Sequence, residues 1–438
     1  MTRSRLLGAL LSVVLVTAWA PIWSEDATLA KTAVGPASLK RFGPPTRPGK
    51  EEIVAVQAGL LYCQNLKQVD ETIRRLARGG VNTLILRVFQ NEGDRPYGFA
   101  APRRLSGVYF RSSHAPLVDD LLGPVARIAH RQGLDVFAWM TTRHANYGFE
   151  ENPGLRTILY DFEKKALVPG RGFNLFRPEV VNRLKGIYAD LARYPIEGIL
   201  FQDDLILRHN EGFSLEARDL FLQDHGYLPD PSIFYGPASR NEEGRIVVSG
   251  YTDRFWVWSR WKNQRLLGLA GQLMGAARRV KPDLVFATNL YYESILDPRN
   301  AMAWYSQSLE AALSRPFDYF SVMAYHRQIQ EELGLTLEEA LDLMPLLARR
   351  ATEMVGDQNR VLIKVQVADW KDSRLLPEEE IQGILRDLGK ESGASIALVP
   401  YRPGLAAGSL IHAFTSARLK AERGQGPLAS SRTHDDPP

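Results

Sequence analysis

The chain has one cysteine, Cys63, in 438 residues. A single thiol excludes an intrachain disulfide framework and a zinc site built on cysteines, and a lone cysteine is read as a small buried apolar residue. No H-E-x-x-H stretch occurs, and residues 51–423 hold no H-x-D, so no metal centre is expected. No G-x-G-x-x-G or Walker A sequence occurs either, which removes the usual signs of a dinucleotide or phosphate cofactor. No cofactor of any kind is expected. Basic residues number 54 and acidic residues 50, a net charge of +4. With no dense Lys/Arg run, that weak excess does not point to nucleic acid. Beyond residue 23 no run is apolar enough to cross a membrane. The composition itself is 45% hydrophobic, 10% aromatic and 24% charged. That is ordinary for a folded chain and excludes a disordered, collagenous or coiled-coil one.

The first residues do have a distinctive layout. Arg3 and Arg5 precede an apolar run from Leu6 to Ala20, the arrangement of a secretory signal peptide. If the run continues to Trp23 it reaches the length of a membrane anchor. Residues 1–23 are therefore read as a signal peptide or an N-terminal anchor. Residues 24–50, rich in Pro, Gly, Ala and Lys, read as a flexible linker, and residues 424–438 as a disordered tail. The expected location is outside the cytoplasm: periplasmic or extracellular, free or held to the membrane by the N-terminal segment.

Residues 51–423 alternate short β-branched runs with longer amphipathic stretches. Strands are expected at 53–61, 81–89, 134–140, 196–201, 283–290, 318–325, 360–367 and 394–401. Helices are expected between them, including 116–131, 178–193, 214–225, 253–280, 300–314 and 336–355. Continuous apolar strands separated by crossover helices imply parallel pairing with both faces covered. Eight such units predict one α/β domain, a (β/α)8 barrel, with a Pro/Gly-rich insertion near 228–250 between the fourth and fifth strands. Trp256, Trp258 and Trp261, on the helix before the fifth strand, are read as packing residues.

Reactive groups of such barrels lie at the carboxyl ends of the strands. The strand ends collect Arg87 and Gln90, Trp139 and His144, Asp203 and Asp204, Asn289, Tyr291 and Glu293, Tyr325 and His326, Asp369 and Trp370, and Tyr401. Aromatic faces stack on the C–H faces of a sugar ring, and side-chain amides, carboxylates and guanidinium groups catch its hydroxyls. The Asp203–Asp204 pair after GILFQ is the sharpest feature. In a regular strand only one of two neighbours faces the axis, and a carboxyl pair whose protonation is split by proximity suits glycoside cleavage. Asp204, nearer the opening, is expected to be the reacting group. The same pair could instead cap the following loop.

VNTLILRVFQ, LDVFAWM, FRPEVVNRLKGIYADLARYPIEGILFQDD, ATNLYY and DYFSVMAY succeed one another in an order that resembles the glycoside-hydrolase-like C-terminal domain family of PgaB, which processes poly-β-1,6-N-acetylglucosamine in biofilms. The resemblance runs from about Ile53 to Tyr401. It implies an endo-acting hydrolase of partly de-N-acetylated polymer, with Asp203 and Asp204 as the central pair and Asn289 on a matching position. It also implies a polysaccharide partner and a link to exopolysaccharide export machinery. Gln202 stands where that family has His. YHRQIQ follows VMA where the family carries a functional Glu, and the deacetylase domain is not represented. Two functions stay open on the sequence: a hydrolase of this or another glycan, the latter through Glu293 or Asp369, and a non-catalytic polysaccharide-binding escort.

Overall fold

The computed structural model describes residues 52–148, 152–241 and 246–424. The expected signal or anchor, the linker and, but for Gly424, the tail lie outside these residues. Eight parallel strands close a barrel in sequence order: β1 (Val54–Ala58), β2 (Thr83–Arg87), β3 (Asp135–Met140), β4 (Gly198–Phe201), β5 (Val285–Tyr291), β6 (Tyr319–Ala324), β7 (Val361–Gln366) and β8 (Ser395–Val399). The last strand returns to the first, with Val54 opposite Ile396. The helices are α1 (Leu66–Arg78), α2 (Leu122–Arg131), α3 (Pro178–Leu191), α4 (Leu215–His225), α5 (Asp253–Arg278), α6 (Glu293–Leu296), α7 (Pro298–Tyr305), α8 (Leu309–Ala312), α9 (His326–Leu333), α10 (Leu337–Val355), α11 (Glu378–Glu391) and α12 (Ala407–Gly424). Their starts follow local chemistry. Asn65 accepts from the Gln68 amide at the head of α1, and Thr336 and Glu339 form a reciprocal capping box on α10.

Alternation along the strands sorts side chains into two cores. Outward residues such as Val54, Val56, Ile199, Phe201 and Ile363 pack against the helices. Inward residues fill the barrel in layers, each supplied by alternate strands. One layer holds Ala55, Phe137, Ala287 and Leu362 from the odd strands, and neighbouring ones add Ile85, Leu200 and Ala397 from the even strands. Gly198 is required here, because a Cβ on it would come within 2.7 Å of the Phe137 ring. That ring packs edge-on to Tyr319 at 6.1 Å and closes the lower barrel.

Three connections differ from expectation. The helix expected over 116–131 begins only at Leu122, because the stretch before it runs beside a small ribbon formed by Phe89–Gln90 and Gly107–Val108. The helix expected over 300–314 breaks at Ser306, which takes φ 50°. A hairpin of Arg156–Asp161 and Ala166–Phe173 stands between β3 and α3, turned by Asp161 accepting from the Glu163 and Lys164 amides. The insertion between β4 and β5 holds a ribbon of Ala238–Arg240 and Ile246–Val248. Trp258 and Trp261 stack on each other at 4.8 Å inside the helical layer, as packing residues do.

Candidate active site

Two residues beyond each apolar inward residue of the odd strands, the character of the barrel changes. Gln57, Trp139, Asn289 and Lys364 follow Ala55, Phe137, Ala287 and Leu362 on the inward face, so a polar layer lies over the apolar one. The Lys364 ammonium donates to the Asn289 side-chain oxygen at 2.9 Å. Both residues are almost wholly buried. The Gln57 Oε1 and the Trp139 indole N–H are buried with no hydrogen-bond partner among the described residues. Burial pulls Lys364 down to about 7, against the opposing pull of the Asp203 carboxylate.

β4 ends at Phe201, and the turn after it separates the two aspartates. Asp204 is fully buried against the end of β3. Its carboxylate accepts from the hydroxyl of Thr141 at 2.5 Å, from the amide and hydroxyl of Thr142 at 3.0 and 2.8 Å, and from the amides of Arg143 and His144 at 2.9 and 2.8 Å. Burial alone would raise this carboxyl, but the hydrogen bonds from Thr141, Thr142 and the His144 amide hold it below the ordinary value. A carboxylate so fully engaged ties two strand ends together and has no lone pair left for a substrate. The expectation that Asp204 reacts is therefore corrected.

Asp203 is its opposite. It lies deep in the mouth, keeps part of its surface open, and takes no hydrogen bond from another side chain among the described residues. Burial and the Asp204 charge raise it, while Lys364 and Arg143 pull the other way. The Tyr291 hydroxyl reaches the Asp203 carbonyl at 3.4 Å. Asp203 also bears on the Tyr325 hydroxyl, which burial already pushes well above the ordinary phenol range.

The other expected residues divide. Trp139, Asn289, Tyr291, Tyr325 and Trp370 gather around the axis, with Tyr325 and Trp370 edge-to-face at 5.2 Å. Tyr291 stacks on Tyr305 at 4.0 Å. The Tyr305 hydroxyl donates to Glu293 at 3.3 Å, and the second Glu293 oxygen is buried without a partner among the described residues. Burial raises Glu293 to about 8, so it is protonated at neutral pH. Arg87 faces inward but is held by Asp94 at 3.2 Å. His144 lies beside Asp204, neutral because burial lowers it to about 4. Asp369 shapes its own loop, accepting from the Lys371 amide at 2.6 Å.

Three residues are not sugar contacts. Gln90 is used up by Tyr109 and the Leu105 carbonyl. His326 starts α9 facing away from the axis, 2.7 Å from Glu380 and fully buried, because its neighbour Tyr325 takes the inward position. Tyr401 turns outward into the helical layer beside Thr72 and Arg75. Lys364 and Gln57 were missed in the sequence, although a polar residue within an otherwise apolar strand buried on both faces is a visible sign. The buried Arg143–Glu211 pair at 2.7 Å was missed as well; its partners lie 68 residues apart, and no spacing rule connects them.

No metal-sized cluster of His, Cys, Asp and Glu occurs among the described residues, and no described helix is long and apolar enough to cross a membrane. The model of a family described as hypothetical glycosyl hydrolase family 13 matches residues 62–398. No curated protein matches the chain. Among solved structures, the PgaB (BpsB) glycoside hydrolase domain of Bordetella bronchiseptica superposes with a TM-score of 0.62 at 23% identity, covering 84% of this chain and 98% of that one. The catalytic domain of a beta-amylase from Paenibacillus polymyxa gives 0.54 at 10% identity, covering 83% and 98%. A beta-galactosidase from Rahnella sp. R3 gives 0.56 at 14%, covering 86% and 58%. At these identities the likenesses speak for the barrel.

Proposed function

Because the chain belongs to hypothetical glycosyl hydrolase family 13, we propose that it cleaves glycosidic bonds of an amino-sugar exopolysaccharide, such as partly de-N-acetylated poly-β-1,6-N-acetylglucosamine, with Asp203 as the central carboxylate. The observation that carries this reading is an unengaged carboxylate at the mouth, over a polar layer and ringed by Trp139, Tyr291, Tyr325 and Trp370. Glycoside cleavage requires negative charge near an oxocarbenium-like centre and a proton for the leaving oxygen. Asp203 supplies the first. Glu293, neutral at pH 7, is the proton donor in this reading, since environments that push two carboxyl groups apart divide acid from base. The Tyr291 hydroxyl bears the influence of both. The aromatic side chains offer stacking faces for successive sugar rings.

Export belongs to the same reading and rests on Arg3, Arg5 and the Leu6–Ala20 run. A soluble polymer chain outside the cytoplasm would be the substrate, and the export machinery of that polymer a partner.

The test is incubation with the partly de-N-acetylated polymer between pH 4 and 8, followed by product sizing. Shortening by the wild type and none by Asp203→Asn is the expected result. A second reading, a polysaccharide-binding escort without cleavage, is favoured by one observation. The helix after Tyr325 offers no carboxylate at its start, and His326 there is locked to Glu380. Retained oligosaccharide binding with no shortening at any pH would select it.

A further inference from the structure

A lysine inside a barrel needs a reason. Desolvating an ammonium is costly, and Lys364 is 1% exposed on the inward face of β7, between the apolar residues Ile363 and Val365. One of its three N–H donors goes to Asn289 at 2.9 Å. Among the described residues no salt bridge fixes it to a carboxylate, so it does not stabilise the barrel as a closed ion pair. The register of β4 and β5 sets Thr288 opposite Phe201, so Asn289, which holds the ammonium, stands beside the point where the chain turns into Asp203, and the Tyr291 hydroxyl of the same strand reaches the Asp203 carbonyl at 3.4 Å. In that setting Asp203 is the charged group that bears on Lys364, and Lys364 is the largest charge opposing the protonation of Asp203.

We propose that Lys364 is the counter-charge of Asp203: its ammonium, anchored on the barrel axis by Asn289, faces the carboxylate from beneath, so that Asp203 enters the reaction as a carboxylate and not as an acid. This rests on the hydrolase reading above and deepens it. Lys364 is a positioning residue in this role, since it acts on the reacting carboxylate and touches no reacting atom. The other charged and titratable groups facing the pair are Asp204 and Arg143, from the ends of β4 and β3, and the hydroxyls of Tyr291 on β5 and Tyr325 after β6. Asp204 opposes ionisation of its neighbour, and Arg143 is already paired with Glu211. Of these, only Lys364 is a cation without a carboxylate of its own. The division of labour follows: Asp203 stabilises the sugar cation or attacks it, and the proton must come from elsewhere.

The experiment compares the wild type with Lys364→Met and Lys364→Gln, which remove the charge at nearly constant length. In the pH profile of polymer shortening, the acidic limb should move upward by about one pH unit or more, the effect of losing an opposite charge near a carboxylate. A second measurement does not depend on cleavage. Denaturation of Lys364→Met, Asp203→Asn and the double variant at pH 7 forms a double-variant cycle, and the effects of the two single changes should fail to add because each variant removes the other's partner. An unshifted acidic limb in an enzyme that still cleaves, or an additive cycle, overturns the counter-charge and leaves the hydrolase reading standing. A wild type that shortens no polymer but shows a non-additive cycle keeps the counter-charge and sinks the hydrolase reading. If Lys364→Met does not fold, Lys364→Gln carries the same comparison.

Discussion

Asp203 and Asp204 are neighbours in the chain and inhabit opposite kinds of site. The Asp204 carboxylate is fully engaged: five donors converge on it at the junction of β3 and β4, and the buried donors left over there, Arg143 Nε and Nη2, lie on a side chain already paired through its other nitrogen. The Arg143–Glu211 pair behind it is buried and direct, and Lys262, itself buried, donates to the Arg208 carbonyl at 2.8 Å. Around Asp203 capacity is left over. Gln57, Gln202, Trp139, Ser321 and Trp370 each keep a buried polar atom without a partner among the described residues. A satisfied polar network makes an enclosed junction rigid, whereas unspent donors and acceptors at an open mouth await a polar ligand. Lys262 and Lys364 repeat the contrast, both brought to about 7 by burial, one held by two backbone carbonyls and the other by a single amide oxygen.

The comparison breaks or holds on four measurements. Asp203→Asn should lose about 10²–10⁴-fold in turnover, the worth of a positioned acid–base or charged group, while melting within a degree or two of the wild type. Loss of folding with intact specific activity would reverse the assignment. Asp204→Ala should cost about 3–5 kcal/mol in chemical denaturation, since it leaves five buried donors unpaired. A loss under 1 kcal/mol would mean that the cradle is not structural.

Glu293→Gln sharpens the contrast through pH. A carboxyl whose folded pKa is raised to about 8 binds more protons folded than unfolded between the ordinary carboxylate range and pH 8. Its contribution is therefore complete at low pH and lost as pH rises through about 8. Glu293→Gln should match the wild type near pH 4 and exceed it by at least about 1 kcal/mol at pH 9, and the basic limb of activity should vanish with it. Equal stability at both pH values would refute the buried neutral acid. Smallest is Trp370→Ala: a rise in KM of about fivefold with turnover within twofold, as expected for one stacking face.

The sequence carried the barrel well because strands buried on both faces leave continuous apolar runs: seven of the eight strands fall within the expected ranges, and β5 runs one residue past its own, to Tyr291. The Arg156–Phe173 hairpin left no such mark. Its residues are mostly polar or half-exposed, and its turn depends on an Asp161 side chain capping two amides. The aspartate pair was legible as a pair, but not its division of roles, because that division arises where β4 stops being regular after Phe201. Alternation would have sent Asp204 to the axis, and the turn sends it to β3 instead. Lys364 was legible in principle. A cation inside VLIKVQ breaks an apolar strand at an inward position, but its significance depends on Asp203, which comes near only through the closed barrel.

Phe137, seated against Gly198 and Tyr319, gives the barrel a single doorway. Nothing can be threaded through the axis, so whatever reaches the polar layer backs out along the path by which it came. A long chain would have to rest across the opening like a beam on a sill, dipping one link toward Asp203. Traffic through that doorway would then be governed by how quickly the severed ends lift away, and a short fragment that fits the sill would linger there and slow the next arrival.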